Sequence, residues 1–297
     1  MTAPDVRTPP RPPAGDVDAS AARRPVGVGV PFLKGHGTEN DFILLPDPEG
    51  TLDVTASQVR ALCDRHAGLG GDGVIRIAPA PAGSAASFVM DYRNADGSLA
   101  QMCGNGARLF ARYLVDAGWA PAGRLVFQTR GGLRVADVPA GGDITIGMGA
   151  ARLGDPSAAW LDGVEYPGVA VDVGNPHLVC LTDVPLSSLN LCRQPAFDQA
   201  AFPQGVNIEF AVPSGRDEVA MRVHERGVGE TRSCGTGTVA VAAAYLASSG
   251  RSTGTVRVSV PGGALTVSVT PDDSSLTGPA VVLAAGTIEG GFWDGHR

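Results

Sequence analysis

Two short segments of this 297-residue chain join a nucleophile to a glycine-rich turn: Cys103-Gly-Asn-Gly106 and Cys234-Gly-Thr-Gly237. Each precedes a stretch without interior Gly or Pro, Gly106–Ala117 and Gly237–Ser248, which reads as a helix. A helix start has free backbone N–H groups and a partial positive charge. A carboxylate or phosphate can sit there, and a cysteine placed there is acidified. The glycines let backbone and ligand approach closely. One such turn predicts anion binding alone; two copies predict a ligand held between two thiols. If both thiols face one carbon from opposite sides, the chemistry is stereoinversion. One thiolate takes the α-proton and the other thiol returns a proton on the far face. A carboxylate on the helix starts stabilises the enolate-like charge that develops. This chemistry needs no metal and no cofactor.

The elements around these turns form an internal repeat. Asn94 lies nine residues before Cys103, and Glu225 nine before Cys234. Further upstream, Asn40-Asp41-Phe42 and Asn175-Pro176-His177 stand 63 and 59 residues before their cysteines. The two cysteines are 131 residues apart, about one domain. Two similar halves follow, each a sheet around one helix. Ala107, Phe110, Ala111 and Leu114 recur at helical spacing, and Val239–Leu246 is apolar nearly all round, so that helix is expected to be deeply buried. Strands are predicted at 41–45, 73–77, 87–92, 206–210 and 219–223, the last two alternating. A hairpin over Pro261-Gly262 joins 254–260 to 263–269. The unit is barrel-like α+β rather than a doubly wound sheet. Residues 1–26 carry six prolines and no aromatic residue, so a disordered extension is expected; they contain no apolar run of a signal peptide.

Composition narrows the function classes. The net charge of −7, without a basic run, argues against nucleic acid and against anionic membrane surfaces as partners. The longest uncharged stretch, Ser233–Gly250, is apolar only over Val239–Ala247, too short for a transmembrane helix. Five cysteines at 63, 103, 180, 192 and 234, without C-x-x-C spacing, form neither a zinc motif nor a disulfide framework, and point to a reducing cytoplasm. Cys63, Cys180 and Cys192 lack glycine turns and read as structural. Lys34 is the only lysine and reads as a solvated side chain, not as the Schiff-base residue of a pyridoxal enzyme.

Asn94-Ala-Asp-Gly-Ser98, Cys103-Gly-Asn-Gly-Ala-Arg108, Gly174-Asn-Pro-His177, Gly205-Val-Asn207 and the run Glu225 to Gly237 resemble diaminopimelate epimerases, as do Lys34–Phe42 and Gly68–Gly73. The resemblance spans about residues 30 to 290. It implies a pyridoxal-independent interconversion of L,L- and meso-2,6-diaminopimelate, a step of lysine biosynthesis. It implies an α+β fold of two pseudo-symmetric domains, each a mainly antiparallel, barrel-like sheet around a buried central helix, with the active site in the cleft. The domains expected are 27–148 plus 278–297, and 149–277.

By the same resemblance Cys103 and Cys234 are the acid/base pair, and His177 and Glu225 tune the thiols. Gly104, Asn105, Gly235 and Thr236 hold the reacting α-carboxylate, with Asn40 nearby. Asn94, Asn175, Asn207, Glu225 and Arg226 surround the distal, non-reacting centre. The small molecule is the expected partner, with no metal and no cofactor. The resemblance also implies a homodimer, although Val282–Gly286 has no aromatic residue where the family often places one at the dimer contact.

Other readings remain. A proline or hydroxyproline racemase of the same fold also uses two cysteines, but typically has a histidine after the first Cys-Gly, where Asn105 stands here. Arg226 suits a second carboxylate that proline lacks. A dithiol redox protein would cycle Cys103 and Cys234 through a disulfide, but catalytic dithiols usually lie close in sequence. An anion-binding module explains the glycine turns and not the two cysteines.

Overall fold

The computed structural model describes residues 27–297, so the expected disordered extension 1–26 lies outside the described residues. The chain forms two compact units, one of 41–144 with the chain up to Gly37 and 280–297, the other of 145–279 with the turn 38–40. The first unit contains β1 (Val30–Gly37), β2 (Asn40–Pro46), α1 (Ala56–Cys63), β3 (Gly73–Pro79), β4 (Phe88–Asn94), α2 (Gly104–Asp116), β5 (Gly123–Thr129) and β6 (Gly132–Val138). The second contains β7 (Ile144–Gly147), β8 (Arg152–Leu161), β9 (Val164–Asp172), β10 (Pro176–Leu181), β11 (Ala196–Phe197), β12 (Asn207–Gly215), β13 (Glu218–Glu225), β14 (Gly229–Thr231), α3 (Gly235–Ser248), β15 (Gly254–Val260), β16 (Gly263–Val269) and β17 (Ser274–Gly278). The chain then returns to the first unit with β18 (Val281–Ile288), which pairs antiparallel with β1, and α4 (Gly290–Gly295).

Strand pairing exposes the repeat directly. In the first unit β2–β3 is parallel, β3–β4 antiparallel, β4–β5 parallel and β5–β6 antiparallel. In the second, β10–β12, β12–β13, β13–β15 and β15–β16 follow the same alternation. A parallel neighbour needs a crossover connection. The crossovers from β4 to β5 and from β13 to β15 are α2 and α3. The registers superpose the two halves residue by residue. Phe42 pairs Gly73 and Gly73 pairs Asn94. His177 pairs Asn207, and Glu225 lies one step beyond the Ile208–His224 pair. Asn94 and Glu225, equidistant from their cysteines in sequence, are thus equivalent in the fold.

Both crossover helices are core helices. Every residue from Val239 to Leu246 is buried, as is every residue from Gly104 to Leu114. Phe110 packs on Phe127 with ring centroids 5.0 Å apart. Each helix begins two residues earlier than its apolar pattern predicts, because the cysteine itself is the N-cap. The helix α1, which has no such apolar run, is held by a capping box between Thr55 and Gln58.

Two features go beyond the sequence pattern. Polar and apolar residues alternate over 206–210, and residues 206–211 are nevertheless all buried, because α3 packs on β12. The turn 38–40, placed by sequence in the first half, packs with the second unit. Thr38 and Glu39 both have positive φ, 50° and 62°, which makes a two-residue turn between β1 and β2 of the kind that matches strand twist. The turn is held there by Thr38 Oγ1 against Ser233 Oγ at 2.7 Å and by the Glu39–Arg232 ion pair. Gly262 admits the Thr38 carbonyl where any Cβ would clash, at 1.9 Å.

Candidate active site

The two cysteines occupy equivalent positions. Cys103 has extended backbone, φ −139° and ψ 122°, and its sulfur accepts the Gly106 N–H at 3.5 Å. Cys234 has φ −120° and ψ 117°, and its sulfur accepts the Gly237 N–H at 3.4 Å. Ser, Thr, Asp and Asn are the usual residues here. A sulfur in this place gains nothing structural over a hydroxyl, whereas a thiolate facing a helix start is stabilised.

Around Cys234 the second unit assembles most of the residues singled out from sequence. Thr236 Oγ1 is 3.6 Å from Cys234 Sγ. Asn175 Nδ2 donates to Thr236 Oγ1 at 3.4 Å, and its Oδ1 lies 3.1 Å from His177 Nε2. Asn207 donates through Nδ2 to Pro176 O at 3.1 Å and accepts the Arg226 N–H at 3.0 Å. Arg226 is exposed and gives Nη1 to Gln204 O. Glu225 accepts from Thr231 Oγ1, and its charge bears on the Cys234 thiol. Burial pushes its carboxyl above the usual carboxylate range. Burial also raises the Cys234 thiol well above its ordinary value, reinforced by the negative charges of Glu225 and Glu209, while Thr236 and the Gly237 N–H pull it down. Asn40 closes the turn that is anchored beside Ser233, the residue before Cys234.

The α2 start differs. Gly104 and Asn105 are buried, and Asn105 Oδ1 accepts from Arg108 Nη1 at 3.0 Å. Arg108 is fully buried; desolvation pulls its guanidinium down to about 10, and the charge of Cys103 pulls it back up. Asn94 ends β4 and donates to Ser98 Oγ at 2.9 Å.

Sequence reasoning missed Glu209. It is fully buried on β12, and its Oε1 lies 2.7 Å from His177 Nδ1. The only signal for it was a charged residue between Ile208 and Phe210. Lys34 is also corrected: it is not solvated but largely buried, paired with Asp41 Oδ2 at 2.5 Å and donating to Gly70 O. Cys63 and Cys180 are buried, their thiols are pushed up to about 12 by burial, and neither caps a helix start. Cys192 is exposed. Among the described residues no group of three or more His, Cys, Asp or Glu is arranged to hold a metal ion, and no helix is long and apolar enough to cross a membrane.

Comparison with known proteins places this arrangement in a family. A family model for diaminopimelate epimerase matches residues 32–154 and 169–283. A diaminopimelate epimerase of Rhodococcus jostii is 48% identical over 285 residues, covering 89% of this chain and 99% of that protein. One from Mycobacterium ulcerans is 48% identical over 287 residues, covering 90% and 99%. Solved structures share the fold at low identity. A hydroxyproline epimerase from Agrobacterium vitis aligns with TM-score 0.63 at 16% identity, over 88% of this chain and 92% of that one. A phenazine biosynthesis protein of the PhzF family from Bacillus anthracis aligns with TM-score 0.67 at 15% identity, over 88% and 99%. With the family model spanning most of the chain and relatives near half identical over nearly their full length, the chain belongs to the diaminopimelate epimerase family.

Proposed function

We propose that the chain interconverts L,L- and meso-2,6-diaminopimelate in lysine biosynthesis, independently of pyridoxal phosphate, with Cys103 and Cys234 as its two acid/base groups. The duplicated N-cap cysteine carries this reading: each sulfur faces a helix-start N–H at 3.4–3.5 Å, in equivalent places of two repeated units. In each direction one thiolate removes the α-proton and becomes a thiol. The other thiol delivers its proton to the opposite face and becomes a thiolate; exchange of protons with water then restores the starting form for a second turnover in the same direction, and without that exchange the next turnover runs in reverse. The N–H groups over Gly104, Asn105, Gly235 and Thr236 hold the α-carboxylate and stabilise the charge that spreads onto it. Asn40 contacts the same end. Asn94, Asn175, Asn207, Glu225 and Arg226 recognise the distal amino acid centre, with the Arg226 guanidinium suited to its carboxylate. His177 and Glu225 tune the thiols.

Incubation of L,L-diaminopimelate in D2O tests the reading. The meso product is expected to carry deuterium at one α-carbon without added cofactor. Product without solvent deuterium, or comparable turnover of lysine or proline, overturns it.

A further inference from the structure

Glu209 is a buried acid in a place where the other unit has an apolar residue. Ile75 is its equivalent in the register: Gly73 aligns with Asn207, and Ile75 and Glu209 each lie two residues on. Both press on the second glycine of their helix. A Cβ on Gly106 would meet Ile75 Cδ1 at 2.8 Å, and a Cβ on Gly237 would meet Glu209 Oε1 at 2.5 Å. Filling this space therefore does not require a carboxylate. Glu209 Oε2 is moreover buried without a hydrogen-bond partner, a cost that calls for a reason.

Hydrogen-bond direction supplies one. Asn175 turns its carbonyl Oδ1 to His177 Nε2, so Nε2 carries a hydrogen. Its Nδ2 then donates to Thr236 Oγ1. With that oxygen accepting, the Thr236 hydrogen is available to Cys234 Sγ at 3.6 Å. Turning the Asn175 amide over would reverse the chain, and Thr236 would then donate to Asn175 and accept from the S–H. Since Nε2 already carries a hydrogen, the 2.7 Å contact between Nδ1 and Glu209 Oε1 needs a second one. The carboxyl is the group that holds it there.

We propose that Glu209 is a positioning residue for Cys234: through His177 and Asn175 it fixes the Thr236 hydroxyl as the donor to the Cys234 sulfur. This rests on the reading of Cys234 as an acid/base group. An apolar residue at 209 leaves the imidazole one hydrogen and two places for it. The Asn175 amide is then free to turn, and the thiol form of Cys234 gains a hydrogen-bond acceptor. The ionisable groups that bear on Cys234 and Glu209 are Glu225 on β13 and His177 and Cys180 on β10. As a bare charge Glu209 would act in the opposite sense, opposing the thiolate, so the two roles predict opposite signs.

The test is the pH dependence of Cys234 alkylation by iodoacetamide without substrate, followed by mass spectrometry, with the Cys103 peptide as internal reference. Glu209→Ile, which installs the residue type found at position 75, is expected to move the Cys234 profile to higher pH. On the rising limb the reaction slows about threefold at fixed pH. Thr236→Val is expected to do the same, Thr236→Ser to behave as wild type, and the double variant to shift no further than Thr236→Val alone. A move to lower pH, no move, or additive shifts overturns the proposal. Should Glu209→Ile fail to fold, Asn175→Ala interrupts the same chain and carries the same expectation. Because alkylation needs no substrate, failure of the epimerase reading appears only in the deuterium experiment, and failure of this proposal only in the alkylation profiles.

Discussion

At the start of α2 the sulfur of Cys103 faces the Gly106 N–H, Ile75 presses on Gly106, and the fifth residue after the cysteine is the buried cation Arg108. At the start of α3 the sulfur of Cys234 faces the Gly237 N–H, Glu209 presses on Gly237, and the fifth residue is Val239. The backbone device is the same and the buried charge is opposite. A cation beside one thiol favours its thiolate; at the other, the charge of Glu225 opposes the thiolate, while the hydrogen-bond chain from Glu209 is proposed to favour it. In the proposed reaction one sulfur is charged while the other is protonated, and unlike surroundings bias which is which. The repeat supplies two like scaffolds, and a few buried side chains set them apart.

The comparison breaks most severely if either sulfur is removed. Cys103→Ala and Cys234→Ala are each expected to lower epimerisation by on the order of 10³-fold, within the range that general acid–base groups contribute. The measurement is meso product formed from L,L-diaminopimelate. A variant that epimerises at wild-type rate would show that the halves are not equal partners in the chemistry.

Exchanging the strand residue should expose how differently the halves accept charge. Ile75→Glu places a carboxylate where Phe42, rather than a histidine, is the neighbour in the repeat. It is expected to cost about 3–5 kcal/mol as a buried charge without a partner. Glu209→Ile leaves one imidazole nitrogen unsatisfied and is expected to cost about 1–3 kcal/mol. Urea unfolding midpoints at constant m rank the two, and equal losses would remove the asymmetry from the account.

Arg108→Met tests the cation. Cys103 alkylation at neutral pH is expected to slow about tenfold, the equivalent of roughly 1.4 kcal/mol, while the Cys234 rate stays put. An unchanged Cys103 rate would mean that the guanidinium does not act on that thiol.

Away from the helix starts the halves should behave alike. Cys63 in one unit and Cys180 in the other are both pushed up to about 12 by burial, against an ordinary value of 9.0. Their folded-state values are raised, so the stability associated with them is full below pH 9 and is lost as pH rises toward 12. Each thiol is expected to steepen the fall by at most about 1.4 kcal/mol between pH 9 and 10. Cys63→Ala and Cys180→Ala should each flatten the alkaline limb of an unfolding series, and a limb unaffected by both would contradict their burial as thiols.

Cys-Gly-x-Gly announces itself in a sequence because a helix start has a local code. Cap, glycines and the apolar run that follows are contiguous, so the two helices and their cysteines could be read directly. The repeat was legible for the same reason, since equal offsets such as Asn94 to Cys103 and Glu225 to Cys234 survive duplication. Fold class follows from these local patterns, and the hairpin strands 254–260 and 263–269 match their predicted bounds. Arg108 follows Cys103 within the same motif, but the strand residue that faces each helix start has no local code. Glu209 lies 25 residues before Cys234 and Ile75 lies 28 before Cys103, and they face their helices only because parallel pairing with β10 and β2 sets the register. A single residue's slip in either register would turn the side chain to the other face of the sheet. The same applies to the turn 38–40, whose neighbours Ser233 and Arg232 are almost two hundred residues away. The paired helix-start cysteines and the neighbouring Arg108 are thus contiguous in the sequence, whereas the buried acid Glu209 was brought to Cys234 by long-range strand pairing, which no short window of sequence specifies.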